Sequence, residues 1–216
     1  MTPDDAELER LYAYPTDGRT WVRSNFVATL DGAAHAADGR SGSLGGDIDT
    51  HVFGILRSLA DVVVVGAGTA RAEGYGPAAV PIAVVSRRLD VPEALLTPGQ
   101  LVITTADAPQ DELSRLGAVV DVIAVGAGEI DWPAALSALA DRGLRKVLCE
   151  GGPSLHGDLV TLDLVDELCL TIAPVLSSGD APRIAHGATA VDRPMTLGHS
   201  LEVDGVLLTR WVRDRA

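Results

Sequence analysis

The sequence has few cations and no long apolar run, and each shortage excludes a class of protein. Its 216 residues carry 17 Lys and Arg against 30 Asp and Glu, a formal net charge of −13. Because such a surface repels phosphate backbones, a general role in binding nucleic acid is disfavoured. No apolar run approaches the roughly 20 residues of a membrane-spanning helix, and the acidic N-terminus MTPDDAELER contains no apolar signal segment. We therefore expect a soluble, cytoplasmic protein that binds neither nucleic acid nor membranes.

Cysteine is scarce, and motifs for metal binding or nucleophilic hydrolysis are missing. Cys149 and Cys169 lie singly in apolar runs, which is typical of buried free thiols. The five histidines have no HxH or HExxH companions. The paired cysteines of a zinc deaminase and the GxSxG turn of a serine hydrolase are absent as well. We expect no metal site.

What the sequence does contain is an alternation of short apolar runs with stretches of helical periodicity, which predicts an α/β fold. Four valines between Asp61 and Gly66 predict a strand buried on both faces, as in a parallel sheet. A helix is expected over Asp49–Ala60, capped near Asp47 or Asp49. Helix-like spacing also covers 110–117, 132–142 and 153–161. Further strands are expected in WVRSNFVATL, PIAVVS, QLVITT, AVVDVIAVG, RKVLCEG and DELCLTIAPVL.

Near the C-terminus, Asp204-Gly205 separates two apolar-rich arms and predicts an antiparallel hairpin. The sheet should therefore be mixed and mostly parallel, with flanking helices. The segment AAHAADGRSGSLGG is long, small and Gly-rich, as functional loops often are. Because no repeat or linker interrupts the chain, we expect a single domain over 21–216, preceded by an N-terminal extension over 1–20.

Three glycine-rich turns follow predicted strands: Asp31-Gly32, Gly66-Ala67-Gly68-Thr69 and Glu150-Gly151-Gly152-Pro153-Ser154. Because the carboxyl ends of parallel strands meet at one edge of a sheet, these turns could converge on a ligand. Two glycines followed by a proline at the start of a helix leave N–H groups free for an anion such as pyrophosphate. Taken singly, each turn is also typical of a tight strand-to-helix connection. Asp31 and Glu150, taken singly, are also typical of capping or solvated acids.

Two adjacent cations, Arg87 and Arg88, follow Ser86 at the end of PIAVV. Arginine binds phosphate through two parallel hydrogen bonds, so this pair could contact the adenosine side of a nucleotide. Two solvated loop charges are the alternative.

Five ordered blocks cover about Trp21 to Trp211: RSNFVATLDG, DGRSGS, FGILRSLADVVVVGAGTARAEG, VLCEGGPSLHGDLV and LVDELCLTIAPVL. Together they resemble the reductase (C-terminal) domain family of riboflavin biosynthesis, in a stand-alone form. The resemblance implies a dihydrofolate-reductase-like fold and an NADPH-dependent reductase. Its expected substrate is 5-amino-6-(5-phosphoribosylamino)uracil, whose ribosyl group would accept hydride at C1′ and become ribityl. It also implies a homodimer. VDELCLTIAPVL could contribute to its interface, although most of this stretch is better explained as an ordinary core strand.

The resemblance assigns roles by position. Asp31 and Glu150 are the expected catalytic residues, and Asn25, Thr29, Ser41, Arg57 and Glu150 the expected substrate contacts. The cofactor contacts are expected at Val27, Ser43, Gly66, Gly68, Thr69, Glu73, Ser86, Arg87, Gly151, Gly152, Pro153, Ser154 and Leu155.

The chain departs from the family pattern after the GAGT turn. Relatives commonly have Asp-Asp-Pro-Arg there, whereas this chain reads Glu73-Gly74-Tyr75-Gly76-Pro77 and lacks the arginine expected to help hold a substrate phosphate. Ser43 stands where many relatives have Trp. Two alternatives therefore stay open. One is a reductase of the same fold acting on another heterocycle, such as dihydrofolate or a pterin, and the other is a sensor that binds NADPH without turnover.

Overall fold

The computed structural model describes residues 3–215, which form a nine-stranded sheet with helices packed on both faces. The strands are β1 (Trp21–Ala28), β2 (Val62–Gly66), β3 (Ile82–Val85), β4 (Leu101–Thr104), β5 (Asp121–Ala124), β6 (Lys146–Cys149), β7 (Glu167–Ile172), β8 (Thr196–Val203) and β9 (Val206–Val212). Their spatial order is β5-β4-β3-β2-β6-β1-β7-β9-β8. All neighbours are parallel except β7 with β9 and β9 with β8. The predicted α/β class with a mostly parallel sheet is confirmed.

The helices are α1 (Asp5–Leu11), α2 (Gly46–Leu59), α3 (Ala67–Ala72), α4 (Gln110–Gly117), α5 (Trp132–Asp141) and α6 (Pro153–Thr161), with a 3-10 turn at Glu93–Leu95. The predicted helices after residue 100 are therefore confirmed to within one residue. Helix α2 begins earlier than expected, at Gly46, and the prediction of an aspartate cap is wrong because Gly45 is its N-cap and no side chain caps it. Asp49 instead accepts a hydrogen bond from the Thr171 hydroxyl of β7.

Strand β2 explains the double-layered core. Val63 and Val65 pack with the apolar face of α2, whereas Val62 and Val64 pack with residues of α5 and α6 on the other face. All four are fully buried. Alternate side chains of a strand point to opposite faces, so an uninterrupted valine run suits a strand covered on both sides. This confirms the interpretation of that run.

The C-terminal hairpin is the predicted one. Val203 pairs with Val206 across Asp204 and Gly205, both of which have positive φ, as a two-residue turn of this kind requires. Both cysteines are buried and unpaired, as expected, and burial raises the pKa of the Cys149 thiol to about 12. Among residues 3–215, no helix has the length and apolarity needed to cross a membrane.

The strand order decides where a ligand can bind. The carboxyl ends of β3, β2, β6, β1 and β7 lie side by side at one edge of the sheet. The loops and turns singled out in the sequence leave from that edge, where ligands of open parallel sheets bind.

Candidate active site

A cavity of about 580 Å³ opens at this edge, between α2 and the ends of β1 and β6. Its wall includes several of the predicted site residues: Asn25, Val27, Ser41, Arg57, Thr69, Glu73, Glu150, Gly152 and Pro153. The structure thus brings together residues from five separate segments. A concave space of this size with a few polar side chains is the usual form of a small-molecule site.

Glu150 lies at the centre of a buried hydrogen-bond cluster. Its carboxylate accepts from Nε and from one terminal nitrogen of Arg57 at 2.8 and 2.7 Å. The Tyr75 hydroxyl donates to the same carboxylate at 2.6 Å. The Glu150 side chain is only 2% exposed. Two parallel bonds between a guanidinium and a carboxylate fix both groups in one plane, so Arg57 and Glu150 are held rigidly.

Tyr75 and Arg57 are fixed in their protonated forms. Burial raises the pKa of Tyr75 well above its ordinary value, and the neighbouring Glu150 charge raises it further. Burial alone would lower the pKa of Arg57, but the hydrogen bonds and charge of Glu150 outweigh that effect and raise it. The guanidinium also lies over the ring of Phe53, 4.3 Å from its centroid. This wall of the cavity is therefore a stable set of donors around one carboxylate.

The glycine-rich loop before α2 is tied to the segment after α3. Both the backbone N–H and the hydroxyl of Ser41 donate to Glu73, at 3.0 and 2.9 Å. Glu73 thus positions Ser41, the expected substrate contact, in the cavity wall. Glu73 itself was expected to contact the cofactor.

Two of the glycine turns touch each other. The Gly66 N–H donates to the Gly151 carbonyl at 2.6 Å. A Cβ on Gly152 would lie 2.5 Å from the Thr69 hydroxyl oxygen, and one on Gly151 would lie 2.9 Å from the Phe26 ring. Because neither position has space for a side chain, the backbone of this turn forms the surface itself.

The turn before α6 leaves backbone N–H groups that could hold an anion. Helix α6 has Gly152 as its N-cap, Pro153 in its first turn and no side chain capping it. The N–H groups of Ser154 and Leu155 have no acceptor within the helix, since the first N–H groups of any helix lack one. They carry the positive end of the helix dipole. The Leu155 side chain packs in the core, so only its backbone can serve a ligand.

Arg87 belongs to the same side of the site. Burial and the charge of Glu129 raise the pKa of Asp158 on α6, and the charge of Arg87 partly offsets that rise, so Arg87 lies near α6. Ser86 is buried beside it, and Arg87 is exposed. The ends of β3, β2 and β6 are adjacent in the sheet. Thr69, Gly152 and Pro153 line the cavity, whereas Ser86 and Arg87 are not among its lining residues.

Asp31 and Thr29 lie outside the residues that line the cavity. The Asp31 carboxylate accepts from the Thr29 hydroxyl at 2.5 Å and from the backbone N–H groups of Ser177 and Ser178. These bonds lower its pKa to about 2. The contacts support a role in holding this turn, and the catalytic assignment of Asp31 stays a prediction without a contact to support it.

The other residues expected to contact the cofactor lie in different places relative to the cavity. Ser43 and Gly68 are exposed and do not line the cavity. Gly66 and Gly151 contact each other behind its wall. Val27 lines the cavity from β1.

The wall also contains residues that were not predicted as site residues, among them Asp49, Phe53 and Tyr75. Phe53 and Asp49 had been explained by helix periodicity and capping. Their spacing from Arg57 contained the missed signal, because positions 49, 53 and 57 lie four residues apart on one face of a helix. Tyr75 was visible only as part of a departure from the family pattern.

Comparison with known proteins identifies the relatives. The model of the RibD C-terminal domain family matches residues 20–208. The 2,5-diamino-6-ribosylamino-4(3H)-pyrimidinone 5′-phosphate reductase of Archaeoglobus fulgidus is 26% identical over 191 residues, which are 78% of this chain and 87% of that protein. The riboflavin biosynthesis protein RibD of Bacillus amyloliquefaciens is 31% identical over 84% of this chain, which spans only 53% of that protein.

Solved structures agree with this result. A pyrimidine reductase-like protein from Corynebacterium diphtheriae superposes with a TM-score of 0.85 at 26% identity, covering 97% of this chain and 99% of that one. Dihydrofolate reductase from Enterococcus faecalis, solved with NADP(H), has a TM-score of 0.52 at 14% identity over 90% of this chain and 97% of that one. The second likeness is one of fold alone, and it confirms the expected fold.

Proposed function

The chain belongs to the RibD C-terminal domain family, and on that premise we propose that it reduces the ribosyl group of a ribosylaminopyrimidine 5′-phosphate to ribityl, with NADPH as the reductant. Its curated relatives are named as pyrimidinone phosphate reductases or as RibD, so it is an oxidoreductase of riboflavin biosynthesis. Because the chain spans about half of the Bacillus RibD protein, only the reductase activity is carried over.

The observation that carries the proposal is the position of Glu150 between two half-sites. Its carboxylate accepts hydrogen bonds from Arg57, on the α2 side of the cavity, and from Tyr75. The residues that follow it form the glycine turn at the start of α6. A substrate held on the α2 side and a cofactor held by the glycine turn would therefore meet beside Glu150, as a direct transfer between two bound molecules requires.

The cofactor half suits NADPH. The glycine turn, the Thr69 hydroxyl and the free N–H groups of Ser154 and Leu155 would hold the pyrophosphate, with Ser86 and Arg87 on the adenosine side. When bound, the nicotinamide supplies the hydride. The acidity of the whole chain is no obstacle, because these groups act at short range.

The substrate half is built to orient a polar molecule. Asn25, Ser41 and Arg57 offer hydrogen-bonding groups at the cavity wall. The ribosylamine must open to an imine before C1′ can accept hydride. Glu150 holds Arg57 in place. The guanidinium N–H groups that do not bind Glu150 are preorganised donors, which stabilise charge that develops at a reacting centre. The Phe53 ring packs against the Arg57 guanidinium and helps to fix its position.

Substrate-dependent oxidation of NADPH tests the proposal. Purified protein should oxidise NADPH, followed at the nicotinamide absorbance band, only after a ribosylaminopyrimidine 5′-phosphate is added. The product should gain two mass units, consistent with a ribityl chain. NADPH binding without reduction of any such substrate would contradict the proposal and favour a sensor that binds NADPH without turnover.

A second candidate, reduction of another heterocycle such as dihydrofolate, is favoured by one observation. Among the described residues that line the cavity, Arg57 is the one arginine, and Glu150 already binds it through two nitrogens. A substrate phosphate therefore has no unpaired arginine there. Turnover of dihydrofolate above turnover of the ribosylaminopyrimidine, in the same assay, would support this second candidate.

A further inference from the structure

A pair of stacked aromatic rings lies against the glycine turn before α6. Phe26 of β1 lines the cavity, and a Cβ on Gly151 would lie 2.9 Å from its ring. The His156 ring, from α6, stacks on the Phe26 ring, with centroids 4.5 Å apart and planes inclined by 27°, a favourable arrangement for two rings. The His156 backbone N–H donates to the Gly152 carbonyl at 3.0 Å. The contacts therefore form a closed set, from the turn through both rings and back to the turn.

The His156 ring is held by one hydrogen bond. Its Nδ1–H donates to the Ile184 carbonyl at 2.9 Å. The side chain is buried, and burial lowers its pKa to about 4, so the ring is neutral at physiological pH. Its Nε2 is then an acceptor, and no group in residues 3–215 donates to it. Because phenylalanine would offer the same stacking surface without a buried unpaired nitrogen, the bond to Ile184 is what a histidine adds here.

The surroundings of His156 show why that bond matters. His156 and Ile184 both line a second cavity of about 450 Å³, which lies between α6, β7 and the segment 184–195. A side chain in a cavity wall lacks packing partners on the cavity side. Without the Ile184 bond, the ring could turn away from Phe26 into this space. The bond therefore keeps the two rings together.

We propose that His156 is a positioning residue for the cofactor: it holds the Phe26 ring against Gly151 and so keeps the Gly151-Gly152 backbone in the form that binds NADPH. His156 is not among the residues that line the active-site cavity, so it acts through Phe26. A binding surface made of backbone depends on its exact position, and a shift of about 1 Å in such a group can cost roughly 100-fold. This role rests on the proposed function, which supplies the identity of the cofactor.

Two variants separate the ring from its hydrogen bond. His156→Phe keeps the stack and loses the bond to Ile184, whereas His156→Asn keeps a donor for Ile184 and loses the ring. In calorimetric titration of the full chain with NADPH, His156→Phe should stay within about threefold of wild type, and His156→Asn should bind about tenfold more weakly or worse. The matched control is His186→Ala, which removes an exposed imidazole from the segment packed on α6 and should leave the affinity unchanged. Unchanged affinity in His156→Asn, or weaker binding by His156→Phe than by His156→Asn, would overturn the positioning role.

A double-mutant cycle tests whether His156 acts through Phe26. Phe26→Leu removes the other ring of the stack and should weaken NADPH binding by about tenfold in the wild-type background. In the His156→Asn background it should cost less than about threefold more, because both changes break the same contact. Fully additive losses would overturn the role. Melting curves check that each variant folds, and if His156→Asn does not, unchanged NADPH affinity in Phe26→Leu would overturn the role in its place.

Steady-state kinetics distinguish cofactor positioning from a general loosening of the fold. In His156→Asn the KM for NADPH should rise with the dissociation constant, while kcat at saturating NADPH and the KM for the pyrimidine substrate should stay within about twofold. A fall in kcat with an unchanged KM for NADPH would overturn the role. NADPH binding does not require turnover, so the two proposals fail separately. Weaker NADPH binding in His156→Asn, with no turnover of any ribosylaminopyrimidine by wild type, would refute the function alone. Turnover by wild type, with equal NADPH affinity in wild type and both His156 variants, would refute the positioning role alone.

Discussion

A Cβ on Gly152 would lie 2.5 Å from the hydroxyl oxygen of Thr69. The turn before α6 and the start of α3 therefore touch through a glycine and a threonine, with no space between them. This contact joins the ends of β2 and β6 on the side where the cofactor is proposed to bind.

Gly152→Ala should weaken NADPH binding by about tenfold or more, because the new methyl group must displace either Thr69 or the turn. Calorimetric titration with NADPH measures the change. Adding Thr69→Ala removes the colliding oxygen and should recover melting temperature lost in Gly152→Ala. Gly54→Ala is the control, since a Cβ there meets nothing within 4 Å. Unaltered NADPH affinity in Gly152→Ala would contradict the assigned role of the turn.

Glu150→Gln should reduce kcat by roughly 10- to 1000-fold and change the NADPH dissociation constant little. Glutamine cannot accept from both Arg57 and Tyr75 without directing its own amide donor at one of them. Tyr75→Phe removes one of these donors and should show a smaller loss. Steady-state kinetics and NADPH titration separate the two effects. Parallel loss of turnover and cofactor affinity would count against the position of Glu150 between the half-sites.

Asp31 should make stability depend on pH in the acid range. The Thr29 hydroxyl and the N–H groups of Ser178 and Ser177 lower its pKa to about 2, below its value of about 4 in an unfolded chain. A lowered pKa stabilises the folded state above the unfolded value, and the contribution is lost as pH falls through the folded value. The stability difference between wild type and Asp31→Asn should therefore shrink from about pH 4 to about pH 2. Urea unfolding across this range measures the stability difference. A difference that does not change with pH would refute the role of Asp31 in holding the turn.

We propose that residues 3–20 fold onto 21–215 as one cooperative unit. Leu8 of α1 is fully buried in the core beside α2, and the Tyr12 carbonyl accepts from the buried Arg23 at 2.6 Å. Leu8→Ala should lower the free energy of unfolding by about 2–5 kcal/mol. Glu9→Ala, at an exposed position of the same helix, should change it by less than about 0.5 kcal/mol. Equal melting temperatures for the two variants would show that the extension is independent.

The homodimer implied by the family resemblance is proposed to form through an apolar surface at the ends of β1 and β7. Leu30, Val175 and Leu176 are exposed there, and the Leu30 N–H donates to the Val175 carbonyl. Leu176→Asp should convert a dimer to monomers in light scattering after size exclusion, because a buried charge without a partner opposes association. Leu162→Asp alters an exposed leucine elsewhere and should leave the mass unchanged. A wild-type protein that is monomeric in solution would contradict the proposal.

Local sequence pattern determined the elements of this fold. The valine run of β2, the helices α4 to α6 and the Asp204-Gly205 hairpin depend on neighbours within a few residues, so they could be predicted from residue type and spacing. The glycine turns could be predicted in the same way. Their position at one edge of the sheet follows because the carboxyl ends of parallel strands lie at that edge. Family resemblance added Arg57, Glu150 and Ser41 at the cavity wall.

Only the tertiary structure decided how those residues pair. Tyr75 was visible as a departure from a pattern, yet its bond to Glu150 joins residues 75 positions apart. Asp49 was interpreted as a cap, but Thr171, 122 positions away, holds it in the cavity wall. Asp31 is held by Ser177 and Ser178 and lies outside that wall. A side chain's chemistry depends on burial and on partners that the sheet order brings together, and one sequence records no distance between them.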